Sequence, residues 1–252
     1  MKVGVIGAMK EEVGVLLENM KVESETEIAG RKYYSGDLYG IDTVLVFSRW
    51  GKVAASIATT TLITKFNVEF IVFTGVAGAI SDVLNIGDVV VADSLVQHDM
   101  DARPLFNRFQ VPLSGKDRFL SDSRAVSVMK DASDVFLNSI TRSFSEDRLT
   151  VFNISSPRTY VGTVGSGDQF VSDPQKVSDL RASINGLMCV EMEGAAVAQA
   201  CEEHNIPFIV VRTISDKADH SAAVDFTQFI EEIASNYSNE IVKNFFSSSF
   251  FR

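Results

Sequence analysis

Two hydrophobic rhythms alternate along this chain. VGVIGAM at 3–9 is rich in β-branched residues, and Val13, Leu16, Leu17 and Met20 follow at i, i+3, i+4 and i+7, so the pattern predicts a strand feeding an amphipathic helix. Short apolar runs at 32–35, 37–38 and 43–48, separated by Gly36 and Gly40, predict antiparallel strands with tight turns. After SRWG at 48–51 a helix is expected to about Phe66, its Ala54, Ala55 and Ala58 allowing close approach to another element. FIVF at 70–73 is an unbroken apolar run ending in TGVAG, the pattern of a strand buried on both faces. Another strand starts at Gly87-Asp88 and runs through Val96 into QHDMD. Residues 103–120 read as a long loop with an apolar face, packed on the core or laid over a neighbouring subunit. Residues 121–145 are expected to be mostly helical, and 149–154 and 160–164 to be strands. Residues 186–219 set two strand-like runs either side of a small-residue helix. Asp225-x-x-Gln228 then resembles a capping-box start for a long helix with Phe226, Phe229, Ile230, Ile233, Ala234, Tyr237 and Ile241 on one face. The tail 245–252 is a last docked turn or a frayed end.

Composition narrows the picture. The 252 residues are 46% hydrophobic and 22% charged, which suits one α/β domain over 1–252 with a substantial core. A balance of 23 Lys+Arg against 33 Asp+Glu gives a net charge of -10, which repels nucleic acid and anionic membranes. Cys189 and Cys201 fall within apolar elements and are expected to be core thiols in a reducing compartment rather than a disulfide. The first apolar run is too short for a signal sequence or a membrane span, so a cytoplasmic protein is expected.

Ligands of open α/β sheets bind beyond the carboxyl ends of the strands. Two predicted strands end in Glu191-Met192-Glu193 and in Arg212-Thr213-Ile214-Ser215-Asp216, so three acids and an arginine mark a candidate site; solvated strand ends are the alternative. Glu11 and Glu12 fall in a first helical turn, where the macrodipole favours a carboxylate, and capping alone would account for them. The glycines of TGVAG bring main-chain N–H groups near a ligand, or one of them makes a simple turn. GSGDQFV at 165–171 suits a planar ring stacked on Phe170, whose other fate is the core. Other chemistries find less support: the full G-x-G-x-x-G spacing is absent, and HDMD at 98–101 has no matching ligand group for a metal. No G-x-S-x-G elbow occurs at 165–169, and His98, His204 and His220 lack a triad context.

Taken in order, GVIGAMKEEV, WGKVAA at 50–55, FTGVAGAI at 73–80, QHDMD, SGDQFV at 166–171, VEMEGAAVA at 190–198 and RTISDKAD at 212–219 resemble the bacterial 5′-methylthioadenosine/S-adenosylhomocysteine nucleosidases, which share the purine nucleoside phosphorylase fold. The resemblance covers nearly the whole chain and is weakest between 103 and 160. It implies an α/β, three-layer fold with a twisted mixed sheet flanked by helices, and a homodimer. It also implies hydrolysis of the N-glycosidic bond of adenine nucleosides carrying a 5′-thio substituent, in methionine salvage, with 5′-deoxyadenosine as a further candidate substrate and without metal or cofactor. By motif, Glu12 matches the residue that activates water and Asp216 the acid that protonates adenine N7. Glu193 matches the carboxylate on the ribose hydroxyls, Met192 lies along the sugar, and Phe170 with Val171 holds adenine. Glu191 and Arg212 match polar site residues, Ala77 and Gly78 the glycine-rich wall, and Ser215 and Phe226 further substrate contacts. Met9 and Trp50 fall at the 5′-pocket, with Leu105, Phe106 and Phe109 as candidates for a contact reaching into a partner's site. Two departures stand out: Arg49-Trp50 where a glycine and an aliphatic residue are usual, and Val76 where a serine is common. A phosphorylase on the same fold, with Arg49 as a phosphate ligand, is the nearest alternative, followed by a non-catalytic interaction protein and a dinucleotide-dependent oxidoreductase.

Overall fold

Strands and helices alternate in the order β1 (Val3–Gly7), α1 (Lys10–Asn19), β2 (Lys21–Ile28), β3 (Arg31–Leu38), β4 (Ile41–Phe47), α2 (Lys52–Phe66), β5 (Phe70–Ala79), β6 (Val89–Gln97), β7 (Phe119–Leu120), α3 (Ser123–Leu137), α4 (Glu146–Val151), β8 (Thr159–Ser166), α5 (Pro174–Ser183), β9 (Leu187–Glu191), α6 (Gly194–Glu203), β10 (Phe208–Asp216), α7 (Ala222–Phe229) and α8 (Ser235–Phe246). The computed structural model describes residues 1–219 and 222–251; His220 and Arg252 lie outside them. Side-chain alternation on the buried strands feeds two cores. Val3, Val5, Phe70, Val72, Ile209 and Val211 face one side, where α1 and α3 pack on α8. Ile6, Ile71, Phe73, Phe208 and Val210 face the other, where α2 packs on α6. The small residues expected to allow close approach do so: Ala55 and Ala58 share that second core with Ala195, Ala198 and Cys201. Both cysteines are free and buried.

The sheet is mixed and follows the order β10-β6-β8-β9-β5-β1-β4-β3-β2, with β10 pairing β5 as well. Strands β5, β10, β6, β8 and β9 thereby close on themselves, and β1, β4, β3 and β2 extend as an open wing. Register places Gly78 opposite both Asp216 and Val190, and Ser166 opposite Glu191. The carboxyl ends of β5, β8, β9 and β10 therefore meet at one place, beside the end of β1.

Several expectations are corrected. β2 shows no hydrophobic alternation because it is an edge strand whose KVESETE side chains are all exposed, and charged edges resist further pairing. Gly36 makes no turn: it sits within β3 opposite Val22, where β2 bulges, and a Cβ there would strike the Lys21 carbonyl oxygen. Residues 74–78 remain strand, since β5 continues to Ala79. Residues 149–154 form no strand; Ser145 caps α4 by accepting the Arg148 N–H at 3.3 Å, and Leu149, Phe152 and Ile154 are buried from it. The terminal helix begins at Ala222, with Asp225 inside its first turn, and passes through a π-helical turn at Ile230–Ala234. The 103–120 loop divides, with Val111 and Phe119 in the core and Leu105 84% and Leu113 93% exposed.

Candidate active site

Between β1 and α1 the chain turns through Ala8-Met9, and Glu12 folds back over that turn. Its Oε2 accepts the N–H groups of Ala8 (2.6 Å) and Met9 (3.0 Å), and its Oε1 accepts that of Val76 (3.2 Å). The Met9 contact is the return half of a capping box, so one buried carboxylate both caps the helix and faces the cleft. Burial is the largest influence on Glu12 and raises its pKa; the charge of Arg212 and the three N–H donors pull the other way. The helix N-terminus therefore opposes, without overcoming, the rise that burial imposes on Glu12.

Arg212 is almost wholly buried on β10, with its guanidinium carbon 3.9 Å above the Phe73 ring. Its Nη2 donates to Glu191 Oε2 at 2.6 Å. Glu191, at the end of β9, also accepts the Ser166 hydroxyl, the Glu193 N–H (3.1 Å) and the Gly194 N–H (2.8 and 2.9 Å). With its lone pairs so engaged, Glu191 orders the turn into α6 and anchors Arg212. Arg212 thus braces a carboxylate, and it also adjoins Glu12: a Cβ on Gly75 would lie 2.6 Å from Arg212 Nη1 and closer still to Glu12 Oε1. Gly75 is there to let two side chains meet, a close approach that any side chain would block.

Glu193 ends the same turn, and its Oε1 accepts the Gly51 N–H at 2.7 Å. Burial first, then the charge of Glu191, push its pKa up to about 8, against the pull of the Gly51 N–H and Arg212. Asp216, at the end of β10, accepts the Ser215 hydroxyl at 2.8 Å and the Ala218 N–H at 2.9 Å. Burial raises its pKa as well, outweighing those two donors, and the charges of Asp225 and Asp219 add to the rise.

These groups surround one cleft, open at its mouth. Met9, Glu12, Trp50, Ala77, Gly78, Phe170, Val171, Glu191, Met192, Glu193, Ser215, Asp216 and Phe226 all line it, and Arg212 stands behind Glu191. Phe170 is 44% exposed and meets Phe226 edge-on at 5.6 Å, while Phe226 meets Trp50 at 6.0 Å. Its ring is therefore a wall of the mouth rather than part of the core. Leu105, Phe106 and Phe109 do not line this chain's cleft; Phe109 packs near Val96 and Val171 under the Arg108 guanidinium. Sequence reasoning did not single out Ala8, Gln169 or Val190, which also line the cleft; all three lie within or beside the quoted motifs, and apolar or amide side chains carry no chemical signal. It also assigned no role to the Val76 N–H on Glu12.

The two acids of the HDMD segment have internal partners. Asp99 accepts from Lys52 and Asp101 pairs with Arg103; His98 is buried beneath Gly167, whose Cβ would lie 2.7 Å from His98 Nε2. Among the described residues no group of three or more His, Cys, Asp or Glu is placed to hold a metal ion. Arg49 donates to the Gly30 carbonyl at 2.6 Å, and among the described residues no lysine or arginine lines the cleft. The arrangement combines a hydrogen-bonded carboxyl that burial favours as an acid with a second carboxylate ringed by N–H donors.

Residues 2–247 match the model of the phosphorylase superfamily. A 5′-methylthioadenosine/S-adenosylhomocysteine nucleosidase of Bacillus velezensis is 35% identical over 245 residues, 97% of each chain. The structure of a nucleosidase of the same name from Colwellia psychrerythraea, in complex with adenine, superposes with a TM-score of 0.85 at 34% identity, covering 98% of this chain and 94% of that one. A futalosine hydrolase of Helicobacter pylori superposes with a TM-score of 0.82 at 30% identity, covering 97% of each chain.

Proposed function

The chain belongs to the phosphorylase superfamily, among its 5′-methylthioadenosine/S-adenosylhomocysteine nucleosidases, and on that premise we propose how its residues divide the work. It is an N-glycosyl hydrolase that releases adenine from 5′-methylthioadenosine and S-adenosylhomocysteine. The observation that carries the division of labour is the pairing of two buried carboxyls with unequal donor sets, Glu12 beside Arg212 and Asp216 held, among the described residues, by a hydroxyl and an N–H. Environments that separate two carboxyls in this way separate base from acid.

Adenine lies along Phe170 and Val171 with Ala77 and Gly78 opposite, its N7 toward Asp216. The ribose crosses Met192 with its hydroxyls on Glu193, and the 5′ group points to Met9, Trp50 and Phe226. As the C1′–N9 bond breaks, positive charge grows on the sugar and negative charge on the base. Asp216 delivers its proton to N7, Glu12 takes a proton from the water that bonds to C1′, and solvent returns the proton from Glu12 to Asp216. Water, rather than phosphate, is the nucleophile because an anion needs convergent cations, whereas carboxylates surround this cleft and Arg212 is committed to Glu191.

The chain works as one unit over 1–252, and as a homodimer in which Leu105 and its loop approach the partner's cleft. The exposed apolar side chains of Leu105, Leu113, Val53 and Ile57 support that reading. The free thiols suit the cytoplasm, where the enzyme serves methionine salvage. Product analysis by chromatography tests the function: adenine should appear from methylthioadenosine and S-adenosylhomocysteine without phosphate, with 5′-deoxyadenosine and futalosine as comparison substrates. A strict phosphate requirement with a sugar 1-phosphate as product would refute hydrolysis.

A further inference from the structure

We propose that Lys52, Asp99 and Asp168 are positioning residues that lock the Gly51 N–H onto Glu193 and hold the Phe170 loop at the cleft. The inference rests on the reading of Glu193 as the carboxylate on the ribose. Three segments distant in sequence meet here in a closed ring of hydrogen bonds. The Lys52 ammonium donates to Asp99 Oδ1 (2.6 Å), the Asp168 N–H donates to Asp99 Oδ2 (2.9 Å), and the Lys52 N–H donates to Asp168 Oδ1 (2.8 Å). The ion pair is only 16% exposed on each side. Burial pushes Asp99 upward, but the Lys52 ammonium and the Asp168 N–H outweigh it, and its carboxyl sits below the ordinary value.

The ring converges on Gly51. That residue has φ 92° and leaves room for the Asp168 carboxylate, which an added Cβ would meet at 2.9 Å. Asp168 thereby supplies an acceptor to the first turn of α2, whose own N-cap residue has no side chain to do so. A second arm reaches the other end of Glu193's turn: Lys52 Nζ also donates to Gln97 Oε1 (3.0 Å), and the Gln97 amide donates to Gln199 Oε1 (2.6 Å) on α6. One ammonium therefore ties α2, β6, the loop after β8 and α6 together, and the Gly51 N–H reaches Glu193 from that frame. Release of the frame would leave Glu193 facing Glu191, Glu12 and Arg212 without its one N–H donor.

The test uses the full-length enzyme with Lys52→Met, Lys52→Arg and Asp99→Asn. Adenine release from methylthioadenosine is followed across pH, together with thermal unfolding and acrylamide quenching of Trp50, the sole tryptophan and the neighbour of Gly51. In Lys52→Met, kcat should fall on the order of 10²-fold, the scale for displacing a positioned group by about 1 Å, with a smaller change in KM. The limb of the kcat/KM profile that Glu193→Gln abolishes should move to higher pH, because the lost N–H favours the ionised form. Trp50 should become more accessible to quencher, and Lys52→Arg should restore most of kcat. A merely structural role would lower the melting temperature without moving that limb. A folded Lys52→Met with kcat within threefold of wild type, an unmoved limb and unchanged quenching would overturn the proposal. If Lys52→Met fails to fold, Asp99→Asn decides by the same three readouts. Inactivity of the wild type towards the nucleoside instead sinks the functional reading, while the quenching result still judges the latch.

Discussion

Gly75→Ala is the sharpest single test of the site's construction. The added Cβ would lie 2.6 Å from Arg212 Nη1, 2.9 Å from Glu12 Cδ and closer still to Glu12 Oε1, where real Cβ contacts stay beyond 3.0 Å. Both side chains are buried and held by several partners. Arg212 is held by Glu191 and the Phe73 ring, and Glu12 by three N–H groups. Relief therefore comes from pushing Glu12 Oε1 away from the Val76 N–H, a bond already 3.2 Å long. Overpacking of this kind costs about 1–3 kcal/mol, and at roughly 2–4 °C per kcal/mol for a chain of this size the melting temperature should fall by about 2–12 °C. Displacing the base by a fraction of an ångström to an ångström should lower kcat by up to about 10²-fold. Steady-state adenine release and calorimetry read the two effects. Gly14→Ala is the control: on α1 the nearest atoms to its Cβ are Ser235 Oγ at 3.7 Å and Lys10 Cγ at 3.9 Å, so it should gain about 0.5–1 kcal/mol from helix propensity with kcat unchanged. Gly75→Ala with wild-type kcat and stability would refute the view that this glycine exists to let Glu12 and Arg212 meet.

Three further outcomes follow from the same contacts. Asp216→Asn should lower kcat by about 10²–10⁴-fold, the usual worth of a positioned acid, with an unchanged circular dichroism spectrum; activity within a few fold of wild type would remove Asp216 from the mechanism. Arg212→Met should cost about 3–5 kcal/mol in urea denaturation, because it strands the buried Glu191 carboxylate; a loss under 1 kcal/mol would contradict the role of bracing. Glu193 has its pKa raised from 4.5 to about 8, so the folded state keeps a proton that the unfolded chain releases. Its contribution to stability is complete below about pH 4.5 and is lost as the pH rises through about 8. Urea midpoints of Glu193→Gln should decline less over that window, and parallel curves for the two proteins would count against the shift.

Much of this molecule was legible because its buried strands are apolar runs and its motifs sit at their ends. β1, β5, β6 and β10 announce themselves through β-branched residues, and β9 as a short apolar run. Local pattern failed where tertiary context decides. β2 is charged throughout because it is an edge, and Leu149, Phe152 and Ile154 reach the core from a helix and its exit rather than from a strand. In the site, carboxylates at strand ends were visible as chemistry. The latch was not, since Lys52, Asp99 and Asp168 form their ring only once β6, β8 and α2 are adjacent. The glycines of TGVAG, read as bringing N–H groups near a ligand or making a turn, are strand residues that open space for side chains opposite.

Four buried acids line this cleft with Arg212 set behind Glu191, and donors are distributed unevenly among them. Glu191 takes the guanidinium, a hydroxyl and two backbone N–H groups. Glu12 takes three N–H groups and the nearby charge of the same arginine. Glu193 has one N–H, and Asp216 has one N–H and one hydroxyl with acids at 219 and 225 adding repulsion. Desolvation is the largest influence on Glu12, Glu193 and Asp216 and raises all three, while their donors and neighbouring charges differ. Of the catalytic pair, Asp216, where the leaving base needs a donor, has acids beside it that add to the rise, and Glu12, where the water needs an acceptor, has a cation and three N–H groups that oppose it. Arg212 thus acts on Glu12 from behind the cleft: its charge, placed between Glu191 and Glu12, opposes the rise that burial imposes on Glu12.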